Sequence, residues 1–151
     1  MNRVGVFTKW LLLIFILASC SHLPERQQDK SLYQRLGGQP GIVLIVDNFL
    51  YQIGDSEVLR PLFADADLAR FHEKLTEQLC ELSGGPCRYT GDEMTEVHAG
   101  LAMTNRHFDA VVTALVTAME QADVEVGAQN ALLQKLAAMH PDVMRDVVPP
   151  R

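Results

Sequence analysis

From Ser31 onward, apolar side chains recur at the spacing of α-helices, and no stretch alternates in the way that strands do. One predicted helix has a broad apolar face formed by Ile42, Ile45, Val46, Phe49 and Ile53. Asp67 can cap the next helix, because its side chain can accept a hydrogen bond from the first turn. The apolar stripe of that helix is formed by Leu68, Phe71, Leu75, Leu79 and Leu82.

Two more long helices are predicted in the last third of the chain. Thr104 can cap the first, whose apolar face is formed by Phe108, Val111, Val112, Leu115, Val116 and Met119. The second carries Leu132, Leu133, Leu136 and Met139 before Pro141 interrupts it. With 151 residues, of which 48% are hydrophobic, the chain can form one all-α domain of about six helices.

The segment between these helix pairs carries the candidate chemistry. Gly84-Gly85-Pro86 must end the preceding helix, and Asp92 and Glu93 favour the start of a new one. Met94, Val97 and His98 then fall at i, i+3 and i+4, so one apolar face carries one imidazole. A neutral imidazole on an apolar wall is what holds haem iron from its proximal side.

This segment, read from Gly84-Gly85-Pro86-Cys87-Arg88-Tyr89-Thr90-Gly91 to His98 and Phe108, resembles the group I truncated haemoglobins. Ser31–Gly38 resembles their short first helix and its closing glycine pair. The resemblance implies a truncated globin-like two-over-two helical sandwich over residues 31–148. It also implies haem b as cofactor, with His98 as the iron ligand. A histidine on an apolar helical face is more often a hydrogen-bonded core residue, but the spacing from the glycine motif favours the ligand interpretation.

The same resemblance implies a set of haem-contacting side chains. They are Phe49, Phe63, Arg70, Phe71, Lys74, Leu75, Leu79, Met94, Val97 and Phe108. Phe63 matches the globin phenylalanine that packs on the porphyrin, although a simple core aromatic would be buried in the same way. Lys74 matches a position that often pairs a haem propionate, and Arg70 lies one turn earlier. Solvated surface cations are the alternative for both residues.

On the distal side the chain departs from the family. Leu50 stands where the ligand-facing tyrosine is usual, and the usual glutamine positions match Phe71 and Leu75. The expected distal pocket is formed by Leu50, Phe71, Leu75 and Gln78. Three side chains could still donate a hydrogen bond to the ligand, namely Tyr51, His72 and Gln78. Tyr51 and His72 are each one residue from the expected place, which rotates them by about 100°. Without such a donor, oxygen should be held weakly.

The expected function is reversible binding of a diatomic gas, oxygen, nitric oxide or carbon monoxide, with an unidentified reductase as partner. As an enzyme, the resemblance leaves nitric oxide dioxygenation or a peroxidase-like side activity open. One alternative is a haem-based redox or gas sensor or electron-transfer module, and another is a degenerate, haem-free interaction domain. The net charge of −6 argues against a nucleic-acid partner, because phosphate binding needs clustered Lys and Arg.

The N-terminus predicts a secretory signal over residues 1–19. Arg3 and Lys9 are followed by an apolar run, Trp10–Leu17, and then by small residues. This run is much shorter than the roughly 20 residues that span a bilayer as a helix.

The run is closed by Leu17-Ala18-Ser19-Cys20, which resembles a bacterial lipobox and implies cleavage before Cys20 and its lipidation. An ordinary cleaved signal with a chance cysteine is the alternative. Ser21 in the next position favours the outer membrane, so the expected protein is an outer-membrane lipoprotein facing the periplasm. Residues 20–30 are polar and aperiodic, and they are expected to form the tether between the lipid and the globin.

Two cysteines and two histidines complete the candidates. A disulfide between Cys80 and Cys87 suits an oxidising periplasm. In a continuous helix their Cα atoms would lie about 10 Å apart, beyond the roughly 7 Å limit for a disulfide. The glycine-proline turn could fold Cys87 back, so the sequence leaves both states open. His107 and His140 are expected at the surface or at helix ends.

Overall fold

The computed structural model describes residues 30–144, and this range is entirely helical and irregular, with no β-strand. Its helices are α1 (Leu32–Arg35), α2 (Gly38–Asp55), a 3₁₀ helix (Arg60–Phe63), α3 (Leu68–Leu82), α4 (Met94–Val97), α5 (Asn105–Gln121), α6 (Val126–Ala137) and α7 (His140–Val143). The all-α prediction is therefore confirmed. The predicted signal peptide, Cys20 and the tether up to residue 29 lie outside the described residues, as do residues 145–151.

The four long helices are arranged as two stacked pairs. α2 packs against α3 in one pair and against α5 across the layers, where the most extensive helix contact of the described chain lies. α6 packs against both α3 and α5, and so completes the second layer with α5. The short helices α1 and α7 contact α6 and α4, respectively. This is the two-over-two arrangement that the sequence predicted.

The core forms where the layers meet. All five apolar positions predicted for α2 are buried, and Ile42, Ile45 and Val46 expose none of their surface. α5 contributes Leu115 and Met119 together with small alanines, which let the two helix backbones approach. Each large apolar side chain buried in this way contributes about 1.5–3 kcal/mol. The α2–α5 contact is thus the main hydrophobic interface of the molecule.

The α3 helix begins as predicted but buries a different face. The Asp67 Oδ1 accepts a hydrogen bond from the Arg70 backbone N–H at 3.0 Å, which confirms the cap. The buried residues are Thr76, Leu79 and Cys80, whereas Phe71 is only half-buried. The core-facing side is therefore rotated by about a quarter turn from the centre of the predicted stripe. The rest of the stripe faces a second environment, described below.

The last helices lie where the sequence predicts them, but the final predicted helix is divided into two, α6 and α7. Thr104 caps α5, since its hydroxyl accepts a hydrogen bond from the His107 N–H at 3.2 Å. α6 ends at Ala137, and Pro141 lies in the first turn of the separate helix α7, where proline is tolerated. Within residues 30–144, no helix has the length and hydrophobicity needed to cross a membrane.

Candidate functional site

The end of α3 is shaped by a glycine turn. Gly84 has φ of 81°, and its N–H and that of Gly85 donate to the carbonyls of Glu81 and Cys80 at 3.0 and 2.8 Å. These two hydrogen bonds form a Schellman motif, in which the left-handed position favours a residue without a Cβ. A Cβ on Gly85 would clash with the Cys80 sulfur and the Tyr33 ring. The turn therefore folds the chain back tightly against the helix it has just left.

The reversal brings Cys87 to Cys80. Their Cα atoms lie 5.7 Å apart, within the range of native disulfides, and the two sulfurs are bonded. Cys80 is completely buried, while Cys87 is half-buried. The disulfide left open by the sequence is therefore present, because the turn replaces the straight helix assumed for the 10 Å separation.

Beyond the disulfide, the chain runs back along α3 and is held by polar side chains. The Glu77 carboxylate accepts hydrogen bonds from the Thr90 N–H at 3.0 Å and from its hydroxyl at 2.8 Å. The Lys74 Nζ lies 2.7 Å from the Thr90 Oγ1 and 3.0 Å from Glu77. One turn earlier, Arg70 pairs with Asp92 at 3.3 Å. We call the segment Cys87–Asp92 the strap, because it lies along one edge of α3.

The electrostatics of the strap favour the charged forms of its central pair. Hydrogen bonds from Thr90 and then from Lys74 hold the pKa of Glu77 below its usual range. Hydrogen bonds with Glu73 and then with Glu77 raise the pKa of Lys74. Only 17% of the Lys74 side chain and 24% of Glu77 are exposed. The ammonium of Lys74 is thus engaged by protein carboxylates, and Arg70, predicted beside it for the propionates, is paired with Asp92.

The end of the strap is fixed by Tyr89. Its hydroxyl donates to the Asp92 carbonyl at 2.8 Å, and its ring occupies the space that a Cβ on Gly91 would need. Burial raises the pKa of the Tyr89 hydroxyl, so it remains a donor at neutral pH. The Tyr89-Thr90-Gly91 motif therefore has a structural reason: it closes the strap immediately before α4.

His98 follows the last residue of α4 and is half-buried. Its Nδ1 lies 2.8 Å from the Met94 carbonyl oxygen. A carbonyl can only accept, so Nδ1 carries the proton and the lone pair of a neutral ring is on Nε2. Nε2 makes no hydrogen bond to any described residue. A histidine with this tautomer has its Nε2 lone pair available to a metal, and its ring is oriented by a backbone carbonyl.

The wall contributed by α2 and α3 is apolar and aromatic. The Phe71 ring packs edge-on against Phe63, with centroids 5.1 Å apart, and at 6.4 Å from Phe49. A half-open cavity of about 140 Å³ lies beside this cluster and is lined mainly by apolar side chains, which include Leu50, Phe63 and Leu68, together with Arg60.

Of the three polar side chains considered for the distal pocket, one is exposed to solvent and the other two have partners elsewhere. Tyr51 is 72% exposed. His72 Nε2 lies 2.9 Å from Asp47, on α2. The Gln78 amide nitrogen lies 3.2 Å from the Met94 sulfur, and so contacts the helix that bears His98. No donor from this set lies in the Leu50–Phe63 cavity.

Five further residues named in the sequence analysis have informative positions. Leu79 exposes no surface and belongs to the core rather than to the pocket wall, since surrounding protein covers it completely. Phe108 is half-buried and packs edge-on against His140, with centroids 4.5 Å apart. His140 is therefore part of the packed structure and not a freely solvated helix end. Val97 is 40% exposed, and Met94 is half-buried against Gln78.

The comparisons with known proteins agree with this geometry. The family model described as "Bacterial-like globin" matches residues 31–145. The chain belongs to the bacterial-like globin family. This globin is 35% identical over 109 residues to the group 1 truncated hemoglobin GlbN of Nostoc sp. (strain MUN 8820), which covers 72% of this chain and 92% of that relative.

Two solved structures share its fold. The Fe(III) form of the truncated hemoglobin from Tetrahymena pyriformis has 27% sequence identity and a TM-score of 0.72, covering 76% of this chain and 97% of that one. The 2/2 hemoglobin from Synechococcus sp. PCC 7002 has 24% identity and a TM-score of 0.71, covering 77% and 99%. The predicted truncated globin-like two-over-two fold is confirmed.

Truncated globins are haem-iron proteins, so haem b is the cofactor of this globin. The residues present fit that group. His98 offers a free Nε2 next to an oriented Nδ1. Val97, one residue before His98, is 40% exposed, so an apolar side chain next to the imidazole is available to a cofactor.

The strap is the part of the site that the sequence did not reveal. Lys74 and Glu77 have opposite charges at i and i+3, a spacing that signals an ion pair on a helix. Nothing in the local sequence shows that Thr90 closes this pair, because that contact depends on the reversal at Gly84. The stacking of His140 on Phe108 likewise depends on how α7 returns to α5.

Proposed function

We propose that this globin holds haem through His98 and reversibly binds a diatomic gas in an apolar distal pocket. The observation that carries the proposal is the state of the His98 ring, whose Nδ1 is hydrogen-bonded to the Met94 carbonyl while Nε2 makes no hydrogen bond to residues 30–144. The bound haem would supply an iron atom that coordinates the gas. The chain itself supplies the axial nitrogen and the apolar walls formed by Leu50, Phe63 and Phe71.

The side chains of the distal wall suit a small, uncharged ligand. Apart from Arg60, the side chains that line the pocket beside Leu50 are apolar, and the nearby rings of Phe49, Phe63 and Phe71 offer no hydrogen bond. Tyr51 and His72 are directed to solvent and to Asp47. We therefore propose rapid, weakly stabilised binding of oxygen rather than tight storage.

Reconstitution with haem and absorption spectroscopy test the proposal. The wild type should bind one haem with the spectrum of a histidine-ligated globin, and His98→Ala should lose that spectrum or bind haem much more weakly. His72→Ala is the matched control, because His72 is a half-buried histidine paired with Asp47. An unchanged spectrum and affinity for His98→Ala would refute the ligand assignment.

We further propose that the globin is held at a membrane by lipid on Cys20, with residues 20–30 as the tether. The support comes from the sequence alone, where Leu17-Ala18-Ser19-Cys20 closes an apolar run. Several acyl chains on one residue anchor a protein stably, whereas one chain does not. Mass spectrometry of the mature N-terminus should find an acylated Cys20, and membrane association should be lost in Cys20→Ala. An unmodified N-terminus, or one that begins after Cys20, would exclude lipidation.

A further inference from the structure

The strap is attached to α3 at regular intervals. The α3 residues that hold it are Arg70, Lys74, Glu77 and Cys80, which recur every three or four positions and so share one edge of the helix. Arg70 pairs with Asp92, and Cys80 is bonded to Cys87. Between them, Lys74 and Glu77 both contact Thr90. The strap therefore runs antiparallel to α3, with the disulfide at one end and an ion pair at the other.

The strap also leads directly into the helix that bears His98. Asp92 is followed by α4, and Met94 on its first turn contacts Gln78 on α3 at 3.2 Å. The Met94 carbonyl is also the acceptor for His98 Nδ1. Any shift of the strap along α3 would therefore move the residue that orients the imidazole.

Apart from the strap, α4 is contacted by α7 and by Gln78 of α3. It consists of four residues, none of them buried, and its cap residue Glu93 makes no side-chain hydrogen bond to the helix. An isolated helix of this length is unstable in water, because the conformational entropy lost in forming its first turn exceeds the stabilisation from its few hydrogen bonds. Its position must therefore come from the elements that contact it or are joined to it, and the strap is the one that joins it to α3 through the disulfide and the polar contacts described above.

We propose that the strap is a positioning device for His98, with Glu77 and Thr90 setting its register on α3 and the Cys80–Cys87 disulfide locking it. This inference rests on the proposed role of His98. Reduction of the disulfide by a dithiol transfers two electrons and two protons to the pair. It leaves two thiols and an oxidised dithiol, and it removes the covalent end of the strap.

The experiment compares matched variants of the haem-loaded mature chain. Glu77→Gln removes the carboxylate charge from the contact that holds the strap, and Thr90→Val removes the hydroxyl that donates to Glu77 and contacts Lys74. Glu73→Gln is the control for the first, because Glu73 also binds Lys74, at 2.8 Å, but contacts no strap residue. Thr90→Ser is the control for the second, because it keeps the hydroxyl.

Two readouts are measured: the rate of haem transfer to an excess of apomyoglobin, and the iron–histidine stretching band of the ferrous protein. We expect Glu77→Gln and Thr90→Val to lose haem about three- to tenfold faster, as one weakened or lost hydrogen bond predicts, and to broaden or shift the band. Glu73→Gln and Thr90→Ser should match the wild type. Dithiol treatment of the wild type should accelerate haem loss in the same direction.

Equal rates and bands for Glu77→Gln and Glu73→Gln would overturn the proposal, as would Thr90→Ser behaving like Thr90→Val. Amide hydrogen exchange of the haem-free chain separates this failure from a failure of the His98 assignment. If the strap positions α4, Glu77→Gln should lower the protection of residues 89–98 whether or not His98 binds iron. Unchanged protection there would also reject the proposal.

Discussion

The two apolar faces of α3 differ in what covers them. Thr76, Leu79 and Cys80 are buried against the core. About a quarter turn away, Leu68 is 48% exposed and Phe71 is half-buried. The first face is covered completely by protein, whereas the second is covered only in part, by Phe49 and Phe63. The comparison distinguishes apolar residues that stabilise the fold from apolar residues that are proposed to contact the cofactor.

The core face should lose far more stability on truncation than the pocket face. Leu79→Ala leaves a cavity in a fully buried site, so we expect the free energy of unfolding of the haem-free protein to fall by about 2–5 kcal/mol. Leu75→Ala is the matched control on the pocket face, where the half-buried side chain has less to lose. Denaturant unfolding of both variants measures the two costs.

The effect on haem retention should be the reverse. When only the folded protein of each variant is compared, Leu75→Ala should lose haem faster than Leu79→Ala. Leu75→Ala removes part of the proposed pocket wall, whereas Leu79 has no exposed surface to offer the cofactor. Equal stability losses for the two variants would show that α3 does not have the two separate faces described here.

Local signals in the sequence were enough to predict much of the fold. Asp67 and Thr104 cap their helices as predicted, because a cap depends only on residues within one turn. The apolar face of α2 is buried as a whole, since one partner surface covers it. For α3, the sequence predicts a single apolar stripe. Periodicity finds an apolar direction but does not say whether protein or cofactor covers it.

The contacts that local sequence signals did not predict depend on the reversal of the chain at Gly84. The Cys80–Cys87 bond follows from the backbone conformation of Gly84, and the sequence allowed either outcome. Lys74 was expected to be either solvated or bound to a propionate, but it is engaged by Glu77 and Thr90, which are brought together by the same reversal. Side-chain roles in the candidate site were therefore less predictable than the helices that carry them.

Restoring a donor to the pocket face of α3 should slow oxygen release. Leu75→Gln places an amide where the family usually has one. A hydrogen bond to a partly charged ligand contributes about 1.5–3 kcal/mol, or about 10- to 150-fold in affinity. Stopped-flow release of oxygen should slow within that range, while release of carbon monoxide, which needs little help from donors, should change much less.

Leu75→Met is the control, since it keeps the volume without adding a donor. If oxygen already leaves the wild type slowly and Gln78→Leu or Tyr51→Phe accelerates it about tenfold, a native donor is present and the apolar interpretation of this face is wrong.

The smallest effect concerns the third side of α3, the edge that holds the strap, and it should appear as a dependence of stability on pH. The pKa of Glu77 is lowered by folding, so its contribution is present above the unfolded-state pKa of about 4.3 and is lost as pH falls through the folded value. The pKa of Lys74 is raised, so its contribution is present below about 10.4 and is lost as pH rises through the folded value.

Unfolding of the wild type and of Glu77→Gln across pH measures this dependence. The difference in stability between them should be greatest near neutrality and should vanish at acidic pH, because protonated Glu77 resembles the amide that replaces it. Glu120→Gln, on the exposed end of α5, is the control and should differ little from the wild type at any pH. Both side chains remain partly accessible to water, so the effect should be modest and should shrink with added salt. A difference for Glu77→Gln that persists undiminished at acidic pH would mean that the carboxylate charge does not hold the strap on α3.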